Sequence, residues 1–252
     1  MSNDNSGLNN TYLRILSATV ILPSVFFMMA MGGIWFFLML QITAAVGLLE
    51  FHRLIRLQGF NPPFLLGLLG LIVLGTFVAI IGDPLPSLVT VIAVLSIGHV
   101  LARKPKPSFT TTGIYLITGI FYLGILSIAV PLLKLEHGLW WAILLICSNT
   151  ATDTGAFFIG KTIGRHQLAP KISTNKTIEG AVGGIIAAIV TILIVSSLSP
   201  LLISLPQLLL LSIFPPILAQ IGDLVESVFK RLATAKDSGK VIPGHGGVLD
   251  RI

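Results

Sequence analysis

The chain has 252 residues, of which 54% are hydrophobic and 10% charged, at a mean hydropathy of +0.95. An ordinary soluble domain carries about 25% charged residues, so a water-soluble globule is excluded. The net charge of +6 reads as topology and not as a nucleic-acid partner, because the cytoplasmic loops of membrane proteins collect Lys and Arg.

Residues 1–12 form a polar N-terminal segment, and the apolar stretch after it merges into a full span with no short signal-like region. Charge-free runs of 35, 26 and 19 residues follow at 15–49, 57–82 and 84–102, then 27, 16 and 43 at 107–133, 137–152 and 180–222. A bilayer span needs about 20 apolar residues. Gly32-Gly33 divides the first run, Gly82-Asp83-Pro84 separates the next two, and Ser196-Ser197-Leu198-Ser199-Pro200 breaks the last. The spacing predicts helices over 13–31, 34–51, 62–82, 84–102, 111–133, 138–159, 178–198 and 203–227.

The expected fold class is therefore an all-α integral membrane protein, a polytopic bundle with about eight transmembrane helices. With a cytoplasmic N-terminus, 15 of the 16 Lys and Arg residues fall on one side and Lys134 alone on the other. That asymmetry predicts that both ends are cytoplasmic. The single cysteine, Cys147, lies in an apolar run and reads as a small buried hydrophobe, which argues against a disulfide framework or a cysteine metal cluster. Residues 13–144 read as a transmembrane frame. Residues 145–252 read as a catalytic membrane region with cytoplasmic polar loops at 153–179 and 228–252.

The scarce charge concentrates in that second region. On a helix, Asp223, Glu226 and Lys230 fall at i, i+3 and i+7 and share one face. Ionisable groups at the end of a transmembrane helix are a functional-site hypothesis by default. Carboxylates are hard oxygen ligands suited to Mg²⁺, which takes one or two of them plus substrate phosphates. Lysines and arginines balance phosphate charge, and the glycine-rich turn Pro243-Gly244-His245-Gly246-Gly247, flanked by Asp237 and Asp250, lets backbone amides approach phosphate oxygens. The pattern suits phosphoryl or nucleotidyl transfer at a membrane surface. No G-x-x-x-x-G-K-[ST] loop occurs. His52, His99, His137 and His166 read as interfacial or locally partnered residues.

Ser227, Lys230-Arg231, Lys236-Asp237, Gly239, Ile242-Pro243, His245-Gly246-Gly247-Val248 and Asp250-Arg251-Ile252, in that order and spacing, resemble the signature of the phosphatidate cytidylyltransferase (CDP-diacylglycerol synthase) family. Asp153-Thr154-Gly155-Ala156-Phe157 and Lys171 to Gly180, with Lys176, Thr177 and Glu179, resemble that family's other polar blocks. Two departures stand out. Thr174-Asn175-Lys176 replaces the usual Pro-Lys-Lys, which removes one cation, and the signature ordinarily continues past Ile252 with a further Asp and a ninth transmembrane helix.

The resemblance implies transfer of CMP from CTP to phosphatidate in the bacterial inner membrane, giving CDP-diacylglycerol and pyrophosphate at the cytoplasmic face. It implies Mg²⁺ or another divalent cation on Asp223 and Asp250, with Glu226 or Asp237 as further ligands, and leaves a monovalent cation and a homodimer open. Lys171, Lys176, Lys230, Arg231 and Lys236 are expected to hold phosphate, with the Gly246 and Gly247 amides approaching it. His245 is expected as a phosphate donor or structural ligand, and Asp153 as a ligand of metal, cytosine or ribose, or else as a cap on the turn into Thr154-Gly155. Two rivals stay open. One is a transporter or lipid-translocating protein, whose ionisable residues would lie near the midplane; the other is a nucleotidyltransferase or kinase acting on another lipid phosphate or polyprenol.

Overall fold

The computed structural model describes residues 4–82, 109–244 and 246–252. Among the described residues seven α-helices follow in chain order: α1 (Asp4–Met31), α2 (Gly33–Leu57), α3 (Phe64–Ile81), α4 (Phe109–Gly124), α5 (Gly138–Ile163), α6 (Ile178–Leu198) and α7 (Leu205–Leu232). All but α4 contain segments long and apolar enough to cross a membrane, and a shorter apolar segment spans Thr111–Ser127. The protein is a multi-pass helical membrane protein. The expected span at 84–102, like His99 and His245, lies outside the described residues.

Several boundaries move for identifiable reasons. Helix α1 begins at Asp4, within the segment expected to be polar and separate. α2 runs six residues past its expected end, to Leu57, because no breaker occurs before Gly59, whose φ is +86°. Pro63 precedes α3, and Gly82, in the left-handed region, closes it by donating its N–H to Val78. The helix expected over 111–133 stops at Gly124 and tightens into 3₁₀ turns at Ile125–Ala129 and Pro131–Lys134. Pro131 has no N–H with which to continue the ladder.

The segment expected as a polar loop from 153 is helical at its start, since α5 continues to Ile163. The rest departs from an all-α layout. β1 (Gln167–Ala169) and β2 (Ser173–Thr177) form an antiparallel hairpin, pairing Gln167 with Thr177 and Ala169 with Ser173 around a bulge. The second expected loop, from 228, likewise begins as the last turn of α7.

The chain divides into two compact units, residues 1–131 with 232–252 and residues 132–231. The C-terminal polar segment belongs to the unit built on α1–α4. In that first unit α2 is central, touching α1, α3, α4 and a C-terminal 3₁₀ turn at Leu249–Arg251. Phe36, Leu40, Ala44, Leu48, Phe51, Leu54 and Ile55 of α2 are buried.

In the second unit α5 and α6 pack backbone to backbone along a seam of small residues. A Cβ at Gly184 would lie 2.7 Å from the Thr152 carbonyl oxygen, one at Gly180 2.7 Å from that of Ala156, and one at Gly155 2.6 Å from the Ala187 Cβ. Lipid offers no hydrophobic drive for helix association, so close approach through glycine supplies the dispersion contact that holds such a pair together. At the far end of the same helices Leu144, Ile192 and Leu201 form a buried cluster with Trp140 and Trp141 packed against it.

Candidate active site

The second unit assembles one group of polar residues around the hairpin. Thr177 caps α6, its Oγ1 accepting from the Gly180 N–H at 3.1 Å. Glu179, one residue into the helix, accepts from the backbone N–H groups of Arg165 (3.1 Å) and His166 (3.2 Å), and its Oε1 lies 2.6 Å from His166 Nδ1. A carboxylate in the first turn of a helix also faces the positive end of the helix dipole. Thr177 and Glu179, expected at the substrate, thus have partners that tie the hairpin to α6. His166, expected as locally partnered, is that partner of Glu179.

The hairpin also lies along α7. Lys176 on β2 forms an ion pair with Asp223 of α7. Arg231, two turns further on, donates from Nε to the Ile172 carbonyl at 3.2 Å. These two side-chain contacts set the Lys176 end of the hairpin at Asp223 and the Ile172 end at Arg231. Lys171, in the turn at 170–172, is exposed beside Ile172. This brings Lys171, Lys176, Asp223 and Arg231 to one end of the unit, from blocks about fifty residues apart in sequence.

Of Asp223, Glu226 and Lys230, expected on one face, two pair with each other and the third meets the hairpin. Asp223 is half-exposed and faces Lys176, whereas Glu226, 5% exposed, pairs with Lys230 at 2.9 Å. The Lys230 ammonium is therefore engaged by a buried carboxylate. Asp153 is exposed on α5, next to Thr152, which is buried against α6.

In the first unit the C-terminal residues fold over α2 as a hydrogen-bonded loop. Asp250 accepts from the Ser238 N–H (3.1 Å) and the Gly247 N–H (2.9 Å). Ile242 and Gly246 exchange both backbone hydrogen bonds, with Gly244 and Gly246 at φ +75° and +92°, conformations that glycine adopts without a Cβ penalty. Arg14 of α1 donates from Nε to the Gly244 carbonyl at 2.8 Å. Lys236 and Asp237 are exposed at the start of the loop.

Beneath the loop is a residue that sequence reasoning missed. Glu50 of α2, 4% exposed, accepts on Oε2 from Ser238 Oγ at 3.1 Å and from the Leu249 N–H at 2.8 Å. A Cβ at Gly239 would fall inside the radius of its Oε1, and one at Gly247 would collide with Ser238 Oγ and Glu50 Oε2. Those two glycines of the signature make room for the carboxylate. A signal was present in the helical phase: Glu50 lies three residues after buried Gly47 and four before buried Leu54, on the inward face of α2, while Arg53 and Arg56 point out.

Among the described residues no group of three His, Cys, Asp or Glu side chains is arranged to hold a metal ion. Mg²⁺ often needs only one or two carboxylates, the remaining positions going to substrate phosphate and water. Half-exposed Asp223, paired with Lys176, offers one such carboxylate.

Residues 12–252 match the family model described as the cytidylyltransferase family. Proteins named phosphatidate cytidylyltransferase are similar over nearly their whole length. That of Bacillus subtilis strain 168 is 32% identical over 247 residues, 94% of this chain and 91% of the relative. That of Staphylococcus saprophyticus is 32% identical, covering 95% and 93%, and that of Staphylococcus epidermidis strain RP62A 33% identical, covering 95% and 92%. With that match across the loop on Glu50 and the hairpin on α7, the chain belongs to the cytidylyltransferase family.

Proposed function

We propose that the protein is a CTP:phosphatidate cytidylyltransferase of the bacterial inner membrane, acting at the cytoplasmic face. The observation that carries this reading is the Lys176–Asp223 pair, which sets a cation and a half-exposed carboxylate at one helix end, with Lys171 and Arg231 on the same hairpin and helix. The sidedness rests on the 15-to-1 distribution of Lys and Arg.

In the reaction a phosphatidate phosphate oxygen attacks the α-phosphorus of CTP. A new P–O bond forms, the α–β anhydride bond breaks, and pyrophosphate leaves. A phosphate monoester is largely ionised near pH 7, so the nucleophile needs no protein base. The chain's task is to bring two polyanions together and hold them in line, which positioning and fixed positive charge accomplish. Lys176 and Lys171 offer ammonium groups, Arg231 is oriented by Ile172, and Asp223 is the proposed carboxylate for a divalent ion. That ion, when bound, neutralises charge on the triphosphate. Asp250 acts within its own unit by organising the loop through the Ser238 and Gly247 amides.

The test is direct. Full-length protein in detergent micelles is expected to convert CTP and phosphatidate to CDP-diacylglycerol with Mg²⁺ and to stop on chelation by EDTA. Asp223→Asn is expected to lower kcat/KM by roughly 100-fold or more with the protein still folded. Absence of CDP-diacylglycerol would refute the activity, and wild-type turnover in Asp223→Asn would refute the metal assignment.

A further inference from the structure

Glu50 is the one acidic residue of α2, and the other fully buried residues of that helix are apolar or small. An apolar anchor of similar volume would hold a loop in place at less desolvation cost than a buried carboxylate. Ionisable residues inside membrane helices are retained mainly for function.

The bonding pattern indicates what the carboxylate does. One oxygen, Oε2, receives donors from both ends of the glycine-rich segment, Ser238 Oγ at its start and the Leu249 N–H at its end. Ser238 uses its other donor, the backbone N–H, on Asp250. Asp250 Oδ2 in turn takes the Gly247 N–H. Two carboxylates, one from α2 and one from the loop itself, therefore clamp Ser238 to residues 247–250. The second oxygen, Oε1, is buried, faces Gly239 and has no hydrogen-bond partner among the described residues. A side chain at position 239 would clash with this carboxyl group, so glycine is required there for Glu50 to sit under the loop.

We infer that Glu50 is a positioning residue for cytidylyl transfer: by holding Ser238 and the Leu249 N–H on one oxygen, it fixes Asp250 and the Gly246-Gly247 turn, whose amides are engaged by Ile242 and Asp250, in the conformation the reaction uses. The inference rests on the activity proposed above. Its role is that of an acceptor at a fixed point, so it acts through geometry and not through a transferred proton.

The experiment compares full-length wild type with Glu50→Ala, Glu50→Asp, Glu50→Gln and Ser238→Ala in detergent, measuring kcat and KM for CTP and hydrogen exchange at the Leu249 and Gly247 amides. Glu50→Ala and Glu50→Asp, which remove or withdraw the acceptor, are expected to lower kcat at least 50-fold with KM changed less than 3-fold. Glu50→Gln keeps an acceptor oxygen at the same reach and is expected to recover kcat to within 5-fold of wild type. Ser238→Ala, which removes one of the two donors, is expected to fall between. Exchange at Leu249 is expected to quicken at least 10-fold in Glu50→Ala and to stay near wild type in Glu50→Gln.

Wild-type kcat in Glu50→Ala would overturn the inference. A Glu50→Gln protein that is folded yet as inactive as Glu50→Ala would overturn it too, because charge would then matter and acceptor position would not. Should Glu50→Ala fail to fold, Glu50→Gln and Ser238→Ala decide the matter by the same ordering. A wild-type chain that makes no CDP-diacylglycerol would defeat the activity reading and with it the catalytic part of this inference. Unchanged exchange at Leu249 in a folded Glu50→Ala would instead defeat the clamp, whatever the activity.

Discussion

The buried pair of Glu226 and Lys230 offers a sharp test of how charge is used in α7. The two are spaced i, i+4, with side chains 6% and 17% exposed and 2.9 Å between the charged atoms. On an exposed helix such a pair contributes about 0.3–0.5 kcal/mol. At 2.9 Å and an effective dielectric constant of 20, the Coulomb attraction alone is about 6 kcal/mol, most of which offsets the cost of removing both ions from water. Removing one partner leaves the other charge buried, a loss of about 3–5 kcal/mol, whereas replacing both by apolar groups of similar volume is near neutral. Glu226→Leu and Lys230→Met are each expected to destabilise by about 3 kcal/mol or more, and the double variant by less than either.

Thermal unfolding in detergent, followed by a thiol-reactive dye on Cys147, the sole cysteine, reads all three on one scale. Single variants within about 0.5 kcal/mol of wild type would refute the reasoning, because they would show the pair to behave as an exposed one. A double variant that stays folded yet loses all turnover would show that the pair serves the reaction as well as the fold.

Two further outcomes follow from packing and capping. Gly184→Ala places a methyl 2.7 Å from the Thr152 carbonyl oxygen and 3.2 Å from the Ala156 Cβ, so the α5–α6 seam must part. The expected loss is about 1–3 kcal/mol by the same melting assay, and a wild-type melting temperature would show that the seam is slack. Thr177→Val keeps the shape but removes the acceptor for the Gly180 N–H. It is expected to cost about 1 kcal/mol and to quicken amide exchange in the first turn of α6, and unchanged exchange there would remove the cap from the account.

Much of the fold was legible because membrane helices are written in composition. A stretch that must satisfy every backbone group without water becomes helix wherever it is apolar and long enough. The helix at 178–198 has the bounds its spacing predicts, and Pro63 and Gly82 bracket α3. The ends of α2 and α5 were less legible, since no breaker stops either helix where its apolar run ends and the chain stays helical through the charges that follow. The hairpin at 167–177 was missed because three and five residues of mixed polarity carry too little period-2 signal to stand apart from loop.

For the site, the sequence by itself determined the inventory: a membrane frame, scarce charge gathered in two blocks, and a glycine-rich signature that includes Asp250. Residue type and order suffice for that, because phosphate and a divalent ion demand cations, carboxylates and glycine. Only the tertiary structure decided how the charges are used. It gave Lys176 to Asp223, a contact between hairpin and helix that spacing on one helix cannot express, and it buried the i, i+4 pair of Glu226 and Lys230. It also placed Glu50 under a loop nearly 190 residues away. Hydrogen bonds across that separation are made by helix packing, and nothing local to Glu50 in the chain records them.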